Sequence, residues 1–178
     1  MKTYAPDSDV LIALEKADEL ESVSSLGTRP IVVTEFVWDE VAQPGNPATV
    51  ALLTALAGRA VELPPQSPEA ASMVQLQTPY AEKGKGEASI IAWALHHPDV
   101  IPIFLDRLAL FRGVEELHER EVLSLHGFLR ILESWGLASS SADNVSKVYC
   151  RSHVPITPPL WWSDRHRFSA SASETRDR

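Results

Sequence analysis

The sequence predicts an α/β fold with three layers, in which helices cover both faces of a mostly parallel, five-stranded sheet. Two observations indicate this class. Short runs rich in β-branched residues alternate with longer amphipathic stretches through residues 1–138, and Pro, Gly or charged residues bound each short run. Such alternation is typical of βαβ units, whose parallel sheets are buried on both faces. The predicted strands are residues 2–6, 30–34, 61–63, 101–105 and 121–124.

The stretches between these strands carry helix start and stop signals. Thr34 is a suitable N-cap, Gly58 and Gly136 follow apolar stretches as C-caps, and Pro98 stops the strongest helical pattern. The predicted helices begin at or cover residues 10–14, 36–41, 50–56, 86–95, 108–117 and 128–135.

Composition narrows the class of protein. The chain has 178 residues, of which 24 are acidic and 16 basic, so its net charge is −8. This balance argues against sequence-blind binding of duplex nucleic acid, which needs Lys and Arg facing the phosphates. The single Cys150 excludes an internal disulfide, and no stretch resembles a signal peptide or a membrane span. We therefore expect a cytoplasmic protein that does not associate with membranes.

The composition of the sequence changes near residue 139. We therefore predict one domain over 1–138 and a Ser/Pro-rich basic tail over 139–178. We expect this tail to be partly disordered or folded back on the body. Trp161 and Trp162 lie beside Arg165 and Arg167. Such a mixture can stack on single-stranded bases, anchor a partner protein, or cover an apolar patch of the body.

Acidic residues recur at corresponding points of the αβ pattern. Because ligands of open parallel sheets bind beyond the carboxyl ends of the strands, acids at these points would converge if the first, second and fourth predicted strands are neighbours. Converging carboxylates are hard oxygen ligands for Mg²⁺ or Mn²⁺, which can activate water and neutralise a phosphate. The simpler interpretation is that acids at helix N-termini favour the helix dipole. The acids concerned are Asp7, Asp9, Glu35, Glu40, Glu87 and Asp106.

The ordered motifs resemble the PIN-domain family. Its first strand ends in Asp before a run similar to Asp7-Ser8-Asp9-Val10-Leu11-Ile12, and a Thr after the second strand precedes a helical Glu, as Thr34 precedes Glu40. One branch opens a helix with Gly-Glu-Ala, as residues 86–88 do, and a later strand ends in an Asp like Asp106. The resemblance spans about residues 2–138.

The resemblance implies a metal-dependent endoribonuclease, of the kind that many bacterial toxin–antitoxin modules contain. Asp7, Glu40, Glu87 and Asp106 then correspond to the catalytic acids that hold Mg²⁺ or Mn²⁺, with Asp9 as an added carboxylate. The expected partners are an RNA substrate, an antitoxin protein that holds the enzyme inactive, and a second copy of the chain. The candidate substrate contacts are Ser8, Lys85, Arg107 and Arg112.

One departure from the family pattern keeps a second hypothesis open. Arg107 directly follows Asp106, where this branch of the family often has a second acid. A cation there could neutralise the site in place of a metal ion. The alternative is therefore a PIN-like binding or regulatory subunit without catalytic activity.

Overall fold

The structure is a computed structural model that describes residues 2–20, 31–43, 49–56, 58–77, 84–118, 120–137 and 167–168. It confirms the predicted α/β class. The strands are β1 (Thr3–Pro6), β2 (Val33–Thr34), β3 (Ala60–Val61), β4 (Val100–Phe104), β5 (Val122–Ser124) and β6 (Arg167–Phe168). The helices are α1 (Ser8–Lys16), α2 (Glu35–Val41), α3 (Thr49–Ala55), α4 (Pro68–Gln77), α5 (Lys85–His96), α6 (Arg107–Leu117) and α7 (Leu125–Ser134).

Within the described residues, the main sheet has four strands in the order β1-β4-β5-β6, rather than the five that the sequence predicts. Its first three strands are parallel, and β6 pairs antiparallel with β5. The strands β2 and β3 form a separate parallel pair. A bridge between Tyr4 and Ile31 connects this pair to β1, which confirms that the first, second and fourth predicted strands are neighbours. The count differs because β2 and β3 pair with each other outside this sheet, while β6, which the sequence does not predict, joins it.

Four helices begin directly after a strand, and a polar side chain caps each of them. Asp7 caps α1, Thr34 caps α2, Asp106 caps α6 and Ser124 caps α7. Each capping oxygen accepts a hydrogen bond from an N–H group that the first turn would leave unpaired. The first and third of these caps follow the neighbouring parallel strands β1 and β4, so two carboxylates lie at one edge of the sheet.

Helix α4 is absent from the sequence-based prediction. Its first residue is Pro68, and the Ser67 hydroxyl accepts a hydrogen bond from the Ala70 N–H at 3.1 Å. Ser followed by Pro is a typical helix start. The apolar signal is weak because the buried side chains of this helix are Met73 and Leu76. The helix packs against α5.

The core lies between the parallel strands and the helices that cover them. All five residues of β4 are buried, and so is most of α5. Burial on this scale supplies the main driving force for folding and keeps the strand ends in place. Among the described residues, no helix combines the length and the apolar character that crossing a membrane requires.

The described part of the tail is the short strand β6. Its residues Arg167 and Phe168 pair with Leu123 and Val122 of β5. The predicted boundary between residues 138 and 139 and the Trp161-Trp162 pair lie outside the described residues. The division into domain and tail therefore stays a prediction.

Candidate active site

Asp7 lies where β1 ends and α1 begins, and it is 9 % exposed. Its N–H continues the pairing of β1 with β4 by donating to the Ile103 carbonyl at 3.0 Å. Its side-chain Oδ1 accepts a hydrogen bond from the Ser8 N–H at 2.8 Å. The first bond fixes the backbone of Asp7 at the edge of the sheet, and the second orients its carboxyl group.

Glu40 projects from α2 toward the same place. The Ser8 hydroxyl donates to Glu40 Oε2 at 2.7 Å, and the Gly86 N–H donates to Oε1 at 3.2 Å. The second contact places a carboxylate at the N-terminus of α5, where the helix dipole favours negative charge. Ser8, which the sequence suggests as a substrate contact, thus has its hydroxyl on Glu40 in this structure.

Gly86 is the point on which the two carboxylates converge. A Cβ atom added there would lie 2.8 Å from Glu40 Oε2 and 3.1 Å from Asp7 Oδ1. Real Cβ atoms do not approach an oxygen as closely as the first of these distances. The absence of a side chain at this position is therefore what allows both acids to lie against the first turn of α5.

Burial raises the pKa of the Asp7 carboxyl from 3.8 to about 7, although the hydrogen bond from Ser8 opposes the change. Three neighbouring carboxylates add to the effect of burial, and these are Glu40, Asp9 and Glu87. The result is a carboxyl group whose negative charge is poorly compensated, which is common at functional sites.

Glu87 lies one residue beyond Gly86 and forms an ion pair with Arg112 of α6, with 3.2 Å between Oε1 and Nη1. Burial raises the pKa of Glu87, Arg112 lowers it, and the charge of Asp106 raises it. Asp106 itself is exposed, and its Oδ1 accepts hydrogen bonds from the N–H groups of Leu108 and Ala109 at 2.8 and 3.0 Å. We call Asp7, Glu40, Glu87 and Asp106 the acidic cluster.

Among the contacts of the described residues, the remaining predicted site residues make no hydrogen bond or ion pair with this cluster. Asp9 and Lys85 are exposed. The Arg107 guanidinium lies over the Phe111 ring, 5.2 Å from its centre, and so contacts its own helix. Glu35 accepts a hydrogen bond from the Leu63 N–H at 2.9 Å, which ties α2 to the segment after β3. Among the described residues, Arg112 forms an ion pair with an acid of the cluster, whereas Arg107 lies over Phe111.

The cluster is less compact than the sequence predicts. Within the part of the chain that the structure describes, no three Asp, Glu, His or Cys side chains form a metal-binding group. Asp106 is engaged in capping α6, and Glu87 is paired with Arg112. The residues still fit a hard divalent cation. Two carboxylates meet over Gly86, and Mg²⁺ binds through one or two carboxylates while keeping several waters.

A buried pair of hydroxyl groups, which the sequence does not predict, lies behind the site. Ser89 donates to the Gly86 carbonyl at 2.6 Å, and the oxygens of Ser89 and Thr34 are 2.6 Å apart. Since Ser89 uses its single proton on Gly86, Thr34 is the donor in the second bond. These bonds connect the end of β2 to the turn that carries Gly86. The feature of the sequence that indicates this pair is Ser89, a polar residue within an otherwise apolar helical stretch.

We expect Ser89→Ala to lower the free energy of unfolding by about 1–3 kcal/mol, because it leaves the buried Thr34 hydroxyl without an acceptor. Ser134→Ala is the matched control, since the exposed Ser134 makes the same kind of bond to the Ile131 carbonyl at 2.7 Å. Urea unfolding of both variants measures the difference. Equal losses in the two variants would contradict a structural role for the buried pair.

An open cavity of about 720 Å³ lies at the opposite edge of the sheet. It is lined by the first residues of β1 and β4, Thr3 and Val100, and by Trp93 of α5. Ligands of parallel sheets bind at the carboxyl ends of the strands, where the acidic cluster lies. Its position therefore separates this cavity from the candidate site.

Comparison with known proteins adds one match. A family model described as a PIN domain matches residues 4–134, which are 131 of the 178 residues and include the whole acidic cluster. No curated protein and no solved structure matches the chain.

Proposed function

Because the chain belongs to the PIN-domain family, whose members are generally nucleases, we propose that it is a metal-dependent endoribonuclease. The observation that carries this proposal is the meeting of Asp7 and Glu40 over Gly86. Glu87 is close enough to act electrostatically on Asp7, and Asp106 is close enough to act on Glu87. A fold holds uncompensated carboxylates together at a cost in stability, and binding of a divalent cation would offset that cost.

In this proposal Asp7, Glu40 and Asp106 hold Mg²⁺ or Mn²⁺. Such a cation stabilises charge on the phosphate and makes bound water a nucleophile near neutral pH. The other residues position these ligands. Ser8 holds one oxygen of Glu40 and the Gly86 N–H holds the other, so the carboxylate has a fixed orientation before any ligand arrives.

The RNA backbone would lie over the exposed edge of the cluster. Lys85 and Arg107 are exposed there, at the beginnings of α5 and α6, and we propose that they contact phosphate groups. Such contacts position a nucleic acid without recognising its sequence. Hydrolysis then adds water across a phosphorus–oxygen bond, so the attacking oxygen bonds to phosphorus and the departing oxygen takes up a proton.

We expect the protein to cleave mixed single-stranded RNA with Mn²⁺, and Glu40→Gln or Asp106→Asn to lower the rate at least tenfold. Asp39→Asn is the matched control. It removes the same charge from the same helix as Glu40→Gln, but Asp39 is exposed and neighbouring helical side chains point about 100° apart. Gel analysis of the products with Mn²⁺ or with EDTA measures cleavage.

Two results would count against the enzyme. One is the absence of cleavage with either Mg²⁺ or Mn²⁺, and the other is equal cleavage by the unsubstituted protein and Asp106→Asn. The first result would favour the alternative function, a non-catalytic binding or regulatory subunit. The pairing of Glu87 with Arg112 supports this alternative, since it neutralises one acid of the cluster without a metal ion. Calorimetric titration with Mn²⁺ separates the two, because the alternative predicts no binding that Asp7→Asn removes.

We further propose that the chain acts in the cytoplasm as the toxin of a toxin–antitoxin module. PIN domains are often toxins, and RNA is a cytoplasmic substrate. Coexpression with the product of a neighbouring small open reading frame tests the assignment, with rescue of growth as the expected result. Size-exclusion chromatography of the purified chain tests whether it forms the expected homodimer.

A further inference from the structure

Arg112 on α6 contacts two other helices. Its Nη1 donates to Glu87 Oε1 at 3.2 Å, and its Nη2 donates to the carbonyl of Leu76 near the end of α4. The side chains of Arg112 and Glu87 are 21 % and 19 % exposed. Among the ion pairs of the described ranges, this is the pair that includes a member of the acidic cluster.

The contact with Leu76 holds the guanidinium in place independently of Glu87. A divalent cation bound to Glu87 would therefore lie close to a fixed positive charge in a half-buried site, where water screens repulsion weakly. Asp7 and Glu40 differ in this respect. Their hydrogen-bond donors are the neutral Ser8 and Gly86, and these add no charge that opposes a cation.

We propose that Arg112 is an internal counter-cation that withholds Glu87 from the cation-binding centre. The cation then binds on the Asp7–Glu40 side of the cluster, and Glu87 remains paired with Arg112. Because Arg112 also contacts Leu76, the same pair links the acidic cluster to the end of α4. The proposal rests on the proposed function, since it concerns the cation that the nuclease would use.

Calorimetric titration of the full chain with Mn²⁺ tests the proposal. Removing a fixed positive charge and freeing a carboxylate strengthens cation binding, so we expect Arg112→Gln to bind Mn²⁺ about tenfold more tightly. The double variant Glu87→Gln/Arg112→Gln removes both members of the ion pair without changing the net charge, so we expect its affinity to stay within about twofold of that of the unsubstituted protein. Urea unfolding is measured alongside. Arg112→Gln is expected to be less stable because it loses the contacts with Glu87 and Leu76. Tighter Mn²⁺ binding by that variant could therefore not be explained by a more stable fold.

Weaker or unchanged Mn²⁺ binding in Arg112→Gln would overturn the proposal. A tenfold loss in the double variant would overturn it as well, because Glu87 would then be a ligand. The double variant leaves neither charge unpaired, so it keeps the test valid if Arg112→Gln alone does not fold. Failure of the proposed function has a different signature. In that case the unsubstituted protein binds no Mn²⁺, or binds it equally well after Glu40→Gln.

Discussion

Asp7→Asn is expected to make the protein more stable at pH 8 although it removes a residue of the candidate site. The Asp7 carboxyl has a pKa of about 7 when folded and 3.8 ordinarily. Below pH 4 the carboxyl is protonated in both states. Between pH 4 and 7 the unfolded chain releases this proton and the folded chain keeps it, so the free energy of unfolding falls as the pH rises. Above pH 7 the loss is complete.

The size of the effect follows from the difference between the two pKa values, which corresponds to at most about 4 kcal/mol in the free energy of unfolding. Asn preserves the helix cap, because its side-chain oxygen accepts the same hydrogen bond from the Ser8 N–H. Urea unfolding in EDTA at pH 5 and pH 8 measures the gain. Asp106→Asn is the control, since Asp106 is also an N-cap but is exposed, and we expect a change within about 0.5 kcal/mol there. A less stable Asp7→Asn protein at pH 8 would contradict the buried, uncompensated charge.

Gly86→Ala is expected to remove Mn²⁺ binding and RNA cleavage with little change in stability. The new Cβ would lie 2.8 Å from Glu40 Oε2 and 3.1 Å from both Glu40 Oε1 and Asp7 Oδ1. Glu40 is a flexible side chain and can swing away, so the fold survives. Ala also favours a helical backbone by roughly 0.5–1 kcal/mol over Gly. The affinity for Mn²⁺ falls at least tenfold, because the two carboxylates no longer meet.

Gly113→Ala provides a control with the opposite pattern. A Cβ at Gly113 would lie 2.8 Å from Phe104 Cε2 and 3.3 Å from Val122 Cγ1, in the core under α6. Overpacking of this kind costs about 1–3 kcal/mol, but it does not contact the acidic cluster. Calorimetry and urea unfolding of both variants separate the effects. Unchanged Mn²⁺ affinity in Gly86→Ala would show that the meeting of Asp7 and Glu40 over Gly86 is not the cation site.

The local sequence was sufficient to predict most of the helices and strands. Apolar periodicity, capping residues and helix breakers act over a few residues, and α1, α5 and β4 follow directly from them. The same local pattern predicted that acids such as Asp7 and Asp106 would follow parallel strands at one edge of the sheet. Helix α4 was missed because its apolar periodicity is weak, although Ser67-Pro68 marks its beginning.

The contacts that define the candidate site join residues far apart in the chain. Ser8 and Glu40 are 32 positions apart, Glu40 and Gly86 are 46, and Glu87 and Arg112 are 25. Which helix face meets which depends on how whole elements pack, and periodicity does not specify that. The pattern suggested Arg107 as a cation that could neutralise the site, whereas the fold pairs Arg112 with Glu87 and places Arg107 over Phe111.

By itself, the sequence determined the α/β class, the order of strand, cap and helix, and the edge of the sheet at which the acids lie. Only the tertiary structure decided that Asp7 and Glu40 share the space over Gly86, that Glu87 is paired with Arg112, and that the described strands β1, β4, β5 and β6 form the main sheet. The physical reason is the range of the interactions. Hydrogen bonds within a turn and alternating burial are encoded locally, whereas close packing and the interaction of distant charges exist only after the chain has folded.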